Sequence, residues 1–120
     1  MQLPSIGELN RRAKLYKVET VPDDEVDMLN QRKLVAVLWA KLEVIGGSAY
    51  LESINTEETV THRIYVRSIA GVSTPIDLQH LTEVELDGFI YQVRRITDVN
   101  SAGRFTLLEC EQMSEASAEE

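Results

Sequence analysis

The sequence has 120 residues, enough for one folded domain and few for two. Its composition is that of an ordinary globular protein, with 43% hydrophobic and 27% charged residues, and its single cysteine excludes both an intramolecular disulfide and a Cys-x-x-Cys site. The net charge of −8 gives poor long-range attraction for a phosphate backbone, which argues against a generic nucleic-acid binder.

The acidity is concentrated in two segments. Residues 18–31 hold five acids and residues 111–120 hold four; neither segment contains Lys or Arg, and the remaining 11 acids nearly balance the 12 bases. The N-terminus has no basic start followed by a long apolar run, and the longest apolar stretch, residues 34–40, has seven residues. We therefore expect neither a signal peptide nor a membrane span.

The first predicted strand covers residues 11–19, where alternation places Ala13 and Leu15 on one face. Residues 20–32 contain a proline and a cluster of charges, which predicts a long, flexible acidic loop. The clearest strand follows at residues 33–44. Its even positions are all apolar, as expected of a buried sheet face: Leu34, Ala36, Leu38, Ala40, Leu42 and Val44.

The opposite face of that strand also begins with apolar residues, Val35, Val37 and Trp39. Large apolar groups opposite a core face are typical of a subunit interface. A second internal layer that covers them within the chain explains the pattern equally well, and both interpretations stay open.

Gly46 and Gly47 end this strand, and Ser48 is a candidate cap for a short helix over residues 48–55. Residues 59–68 alternate again and predict another strand. The side chains expected to point inward from it are Val60, His62, Ile64 and Val66.

Residues 83–97 predict a tight hairpin, because Asp87 and Gly88 supply the positive backbone angles of a two-residue turn. Val93 and Ile96 lie three residues apart in its second arm. Both can face inward only if a β-bulge separates them.

The last predicted strand covers residues 104–111, and a disordered acidic tail, residues 113–120, follows it. About six short strands separated by turns favour a small, mostly-β barrel or sandwich over an α/β fold. The predicted single domain spans residues 1–112.

No catalytic, metal or cofactor site is predicted. The acidic loop matches a calcium loop only in part, since Met28 and Leu34 stand where that pattern needs Gly and Glu. His62, His80 and Cys110 lack metal-ligand spacing, and we expect a hydrogen-bonded core histidine, a loop histidine and a small buried thiol. The sequence has no nucleophile elbow, phosphate loop or dinucleotide fingerprint, so we do not expect an enzyme.

One set of basic residues supports an alternative function. Arginine interleaved with an aromatic residue on one strand face is typical of small barrels, similar to oligonucleotide-binding folds, that bind single-stranded nucleic acid. An ordinary solvated face paired with acids explains the same pattern. The candidate nucleic-acid face consists of Arg63, Tyr65, Arg67 and Arg94.

Four stretches stand out by their order along the chain: residues 6–16 lead into a basic strand, 38–50 hold a Trp-Ala strand followed by Gly-Gly, 61–67 form the alternating basic strand, and 86–93 form the Asp-Gly hairpin. Together they resemble the phage head–tail joining, or head closure, family of small adaptor proteins. The likeness covers residues 6–112. The chain departs from the family pattern at residues 73–78, where a shorter link is expected.

The resemblance implies an antiparallel β-barrel subunit in the virion, at the head–tail interface, made in the host bacterial cytoplasm and needing no cofactor. Copies of the chain would form a ring between portal and tail, for which a dodecamer is one candidate, whereas the isolated chain is expected to be a monomer. The ring would close the head and extend the channel, through which packaged DNA passes without sequence-specific binding. The implied partners are portal or connector ring proteins and a tail-completion protein. Candidate contacts with subunits or portal are Val35, Val37, Trp39, Asp23, Asp24 and Asp27.

Overall fold

Six antiparallel strands form a closed barrel in the computed structural model, which describes residues 6–22, 28–45, 60–99 and 103–115. The strands are β1 (Arg11–Pro22), β2 (Met28–Val44), β3 (His62–Arg67), β4 (Glu83–Leu86), β5 (Phe89–Asp98) and β6 (Phe105–Glu115), and a single 3-10 turn, Ile6–Glu8, precedes β1. Around the barrel they run β1-β2-β3-β6-β5-β4, and β4 pairs back to β1. The predicted mostly-β barrel is confirmed, while the helix predicted over residues 48–55 lies outside the described residues.

The barrel interior is filled by alternate side chains of the strands, as the period of two requires. Ala13 and Leu15 point inward from β1 as predicted, and both are fully buried. Ile64 and Val66 of β3 are fully buried as well. Around them pack further buried side chains from the other strands: Ala40, Val84, Leu86, Tyr91, Leu108 and Cys110.

The predicted core face of β2 is right only in its middle. Leu38, Ala40 and Leu42 pack into the core, whereas Leu34 and Val44 are exposed. The strand has 17 residues, more than the barrel wall needs. The β1–β2 register shifts at Leu34, since Leu15 pairs with Ala36 but Tyr16 pairs with Leu34, so Leu34 leaves the core face; Val44 is the last residue of β2, at the opposite rim.

The segment between β3 and β4 closes one end of the barrel. Leu78 and Leu81 from this segment are buried in the core cluster. Ser73 is fully buried, its hydroxyl donates to the Arg67 carbonyl oxygen at 2.5 Å, and its own carbonyl oxygen accepts from Thr106 Oγ1 at 2.6 Å. The extra stretch at residues 73–78 is therefore part of the folded core, because its buried polar groups are satisfied by β3 and β6.

The first two strands continue past the barrel as a two-stranded ribbon. Pairing of β1 with β4 ends at Tyr16, but pairing of β1 with β2 continues to Pro22 and Met28. At about 3.3 Å per residue the ribbon extends roughly 20 Å beyond Tyr16. The loop predicted over residues 20–32 is therefore wrong at both ends. The sequence of these residues has no apolar alternation that would mark them as strand.

The acidic segment that connects the two ribbon strands, residues 23–27 with Asp23, Asp24 and Asp27, lies outside the described residues. The residues that flank this segment are described: Pro22 of β1 and Met28 of β2 form the last pair of the ribbon.

The predicted hairpin and bulge are both confirmed. Asp87 and Gly88 have φ of 52° and 82°, as a two-residue turn that follows strand twist requires. On the pairing with β6 the register shifts between Val93 and Arg95, which lets both Val93 and Ile96 pack against the core.

The last strand is longer than predicted. β6 continues to Glu115, with Gln112 opposite Tyr91 and Ser114 opposite Ile90. The strand predicted to end at Glu111 thus continues four residues further, into the predicted acidic tail. Backbone pairing with β5 stabilises these polar residues, and backbone pairing leaves no signal in the side-chain pattern.

Candidate functional site

The outer face of β2 carries a row of exposed apolar side chains. Val37 and Trp39 lie on this face, and the Trp39 residue is 52% exposed; Val35, also exposed, is the unpaired residue at the register shift between Ala36 and Leu34. Among the described residues nothing buries them, so no second internal layer forms there. Their role as a subunit interface stays a prediction.

A groove of about 380 Å³ opens beside Trp39 on the outer wall of the barrel. Arg12 lies opposite Trp39 in the β1–β2 register, and its guanidinium carbon is 4.9 Å from the centroid of the Trp39 ring, within the range of a cation–π contact. The groove, called the Trp39 groove below, has an apolar lining of Leu9, Val37, Leu38, Trp39 and Ile69, with Arg12 and Arg67 as its charged residues.

The two arginines of the Trp39 groove differ from most basic residues of the chain. Within the described ranges, neither Arg12 nor Arg67 makes an ion pair. Most other bases do, over donor–acceptor distances such as 2.8 Å for Lys41 with Glu8 and 2.9 Å for Arg32 with Glu83. The remaining paired bases are Arg11, Lys17, Arg63, Arg94 and Arg95.

The candidate nucleic-acid face is not assembled as predicted. Tyr65 points away from the barrel interior but is only 2% exposed, because Val99, Phe105 and Leu107 pack with it in a second apolar cluster against Leu9. A buried ring cannot stack on a base. The expectation that alternation alone exposes this face is wrong at Tyr65.

Hydrogen bonding also holds the Tyr65 hydroxyl in place. It donates to Glu43 Oε1 at 3.3 Å, and burial, assisted by the Glu43 charge, raises the pKa of Tyr65 to about 12. The same Glu43 oxygen accepts from Arg63 at 3.4 Å.

The other arginines of that face are divided between two environments. Arg94 is paired with Glu111 at 2.5 Å, which leaves Arg67 as the member without an ion pair among the described residues. Arg67 lies beside Trp39 rather than beside an exposed Tyr65. The face therefore lacks the exposed aromatic ring on which a base could stack, and Arg67 is its only member without an ion pair among the described residues.

The histidines and the cysteine lie where the sequence predicts. His62 is half-buried, its Nδ1 is 2.8 Å from Thr61 Oγ1, its ring makes an edge contact with Tyr91 at 5.0 Å, and burial lowers its pKa. Cys110 is fully buried, and burial raises the pKa of its thiol, which makes it a poor nucleophile. His80 is exposed in the segment before β4.

The described part of the chain brings no three potential metal ligands together. Within the same residues, no helix is long and apolar enough to cross a membrane.

A family model described as "Phage head completion protein" matches residues 4–113. The chain belongs to this family. It is a structural protein of the phage head, located in the virion, and the resemblance seen in the sequence is confirmed at this level. No curated protein sequence matches the head completion protein significantly.

Two solved structures share the fold. The solution structure of protein SF1141 from Shigella flexneri 2a has a TM-score of 0.63 and 16% identity, over 91% of this chain and 96% of that one. A chain of the virion of a native gene transfer agent (GTA) particle has a TM-score of 0.54 and 13% identity, over 88% of this chain and 96% of that one. At such identities the likeness concerns the fold alone.

Sequence reasoning found the apolar stripe of the Trp39 groove but not its other walls. Leu9, Arg12 and Ile69 come from three separate segments, and only the β1–β2 register and the path of the chain after β3 bring them to Trp39. Of these three residues only Ile69 has a signal in the sequence, since it is a large apolar residue directly after a predicted strand.

Proposed function

We propose that this head completion protein forms a ring between portal and tail, where it closes the filled head and extends the DNA channel. Its partners are the portal or connector ring, a tail-completion protein and other copies of itself. The chain acts by contact and without catalysis. It stays a monomer until it reaches the portal, and DNA passes through the ring without sequence-specific binding.

The exposed stripe of Val35, Val37 and Trp39 is the observation that carries this proposal. Where β1 and β2 pair with both neighbours the barrel wall has no free strand edge and offers only side chains for association, whereas the ribbon beyond Tyr16 keeps unpaired edges. Aromatic residues in apolar surroundings are enriched at the centres of such contacts. Family membership supports a place in the phage head.

The alternative of single-stranded nucleic-acid binding has less support. Tyr65 is buried, and Arg63 and Arg94 are held by Glu43 and Glu111. The Trp39 stripe is the largest exposed aromatic feature among the described residues, and it is apolar over three successive outward positions rather than basic.

The test uses DNA-filled heads that carry the portal but lack this protein. Wild-type protein is added and located by cryo-electron microscopy, and tail joining and DNA retention are measured. We expect a ring of density below the portal and restored tail joining. Trp39→Ala should neither form the ring below the portal nor restore tail joining. Ile76→Ala, which removes another exposed apolar side chain from the segment before β4, should act like wild type.

Two results would contradict the proposal. One is binding of the wild-type protein at a place other than the portal vertex. The other is equal ring formation by the wild-type and Trp39→Ala proteins, which would show that the stripe is not an interface.

A further inference from the structure

The Trp39 groove has the chemistry of a receptor for an acidic segment that also carries apolar side chains. Its floor is apolar, and its two charges, Arg12 and Arg67, have no acidic partner among the described residues. A guanidinium binds a carboxylate through two parallel hydrogen bonds, so two such groups at a groove favour carboxylates in the occupant.

The chain itself contains a segment of this kind. The turn of the ribbon, residues 23–27, reads Asp-Asp-Glu-Val-Asp, with four acids and no base, and Met28 follows it. Val26 and Met28 supply apolar groups next to the carboxylates. No other stretch within residues 1–110 combines four acids in five positions.

The turn cannot reach the groove of its own chain. Met28 and Trp39 lie on the same continuous strand, β2, which holds them roughly 36 Å apart at about 3.3 Å per residue. The ribbon stem points away from the barrel, since residues beyond Tyr16 on β1 no longer pair with β4. An occupant from this chain must therefore come from a second copy.

We propose that the acidic turn of the ribbon of one copy docks in the Trp39 groove of the next copy. Residues 23–27 bring carboxylates to Arg12 and Arg67, and the neighbouring apolar side chains lie against Trp39. This inference rests on the proposed ring, for which it supplies the contact. Each copy contributes one turn and one groove, so the contact is head-to-tail, and a repeated head-to-tail contact closes into a ring when its rotation allows.

The test reverses charges on each side of the contact. The groove-reversed protein carries Arg12→Glu and Arg67→Glu, the turn-reversed protein carries Asp23→Lys and Asp24→Lys, and the swapped protein carries all four changes. The matched control carries Arg94→Glu and Arg95→Glu, the same change of net charge on β5, across the barrel from β2. A cooperative thermal unfolding transition, measured for each variant, shows that the variant is folded.

Because the free chain is proposed to be a monomer until it reaches the portal, self-association is measured by sedimentation velocity over a series that extends to high protein concentration, and copies retained on portal-bearing heads are counted by quantitative mass spectrometry. Like charges facing one another across an interface oppose binding strongly. We expect each reversed protein to associate at least about 10-fold more weakly than wild type, and the swapped and control proteins to associate as wild type does.

Mixing the two reversed proteins gives a sharper result. In the mixture the acidic turn of the groove-reversed protein fits the arginine groove of the turn-reversed protein, and the lysine turn of the latter fits the glutamate groove of the former, as in the swapped protein. We expect the equimolar mixture to associate as wild type does, with the two proteins alternating, whereas each protein alone remains monomeric under the same conditions.

Several results would overturn the docking. These are a swapped protein as weak as its two parents, a reversed protein that associates as wild type does, or a wild type that is monomeric both in solution and on the heads. Loss of head binding by the groove-reversed protein alone would assign the groove to the portal instead.

The proposed ring position and the docking fail separately. If the swapped protein restores association but no copy is found at the portal vertex, the docking stands and the proposed function is wrong. If rings form on the portal with either reversed protein, the proposed function stands and the docking is wrong.

Discussion

Replacing Trp39 by alanine separates an interface residue from a core residue by the size of its effect on stability. A tryptophan side chain offers roughly 150–250 Å² of surface, and with Trp39 52% exposed about 100 Å² of it is covered. At about 25 cal/mol per Å² the covered part corresponds to about 2.5 kcal/mol, which is an upper estimate.

Part of the covered surface of Trp39 lies against the Arg12 side chain, which is free to move once the indole ring is removed. We therefore expect Trp39→Ala to lower the free energy of unfolding by about 1–2 kcal/mol, a fall in melting temperature of roughly 4–8 °C. Loss of an interface aromatic typically costs about 2 kcal/mol or more of binding free energy, so association should weaken by about 30-fold.

Tyr65→Ala is the comparison within the same protein. Tyr65 is buried in the outer cluster, and removing a buried aromatic side chain costs about 3–5 kcal/mol. Thermal or urea unfolding of both variants, with pull-down on portal-bearing heads for Trp39→Ala, measures the difference. A loss of 3 kcal/mol or more for Trp39→Ala, on the order of the buried comparison, would refute its assignment to an interface.

Further predictions concern the turn, the thiol and DNA. Gly88→Ala should lower the free energy of unfolding by about 1 kcal/mol, because φ of 82° favours glycine, while Gly7→Ala should change it little; thermal unfolding of the pair checks this. Cys110 should resist thiol reagents in the native state, since burial raises its pKa, and react fully in denaturant; labelling at low reagent concentration despite intact fold would contradict its burial. Short single-stranded DNA should bind more weakly than about 10⁻⁴ M at physiological salt. In fluorescence anisotropy, micromolar affinity that is lost in the Arg63→Ala, Arg67→Ala double variant would favour the nucleic-acid alternative.

Features governed by local geometry could be predicted from the sequence. The Asp87-Gly88 turn depends on two residues that accept positive φ, and the bulge between Val93 and Ile96 follows from the period of a strand. The inward direction of Ala13 and Leu15 follows from the same period. In each case the deciding interaction lies within a few residues, so the local pattern carries the information.

The candidate site was predictable only in part. Alternation along β2 placed Val35, Val37 and Trp39 opposite the core, and they are exposed there. The groove itself forms because Arg12 pairs opposite Trp39 in the β1–β2 register and because Ile69, after β3, lines the same part of the barrel surface. Register between distant segments has no signature in a single sequence.

The sequence by itself determined the number of strands and the direction of most side chains within the barrel, because strand period and turn chemistry are local. The family came instead from the resemblance of four stretches in their order along the chain. Whether a side chain that points outward is exposed was decided only by tertiary structure. Trp39 and Tyr65 both point out of the barrel, yet Trp39 is exposed and Tyr65 is buried by segments far from it in the chain. In the ribbon, residues beyond Tyr16 are strand because β2 pairs with their backbone, although no apolar alternation in the sequence marks them as strand.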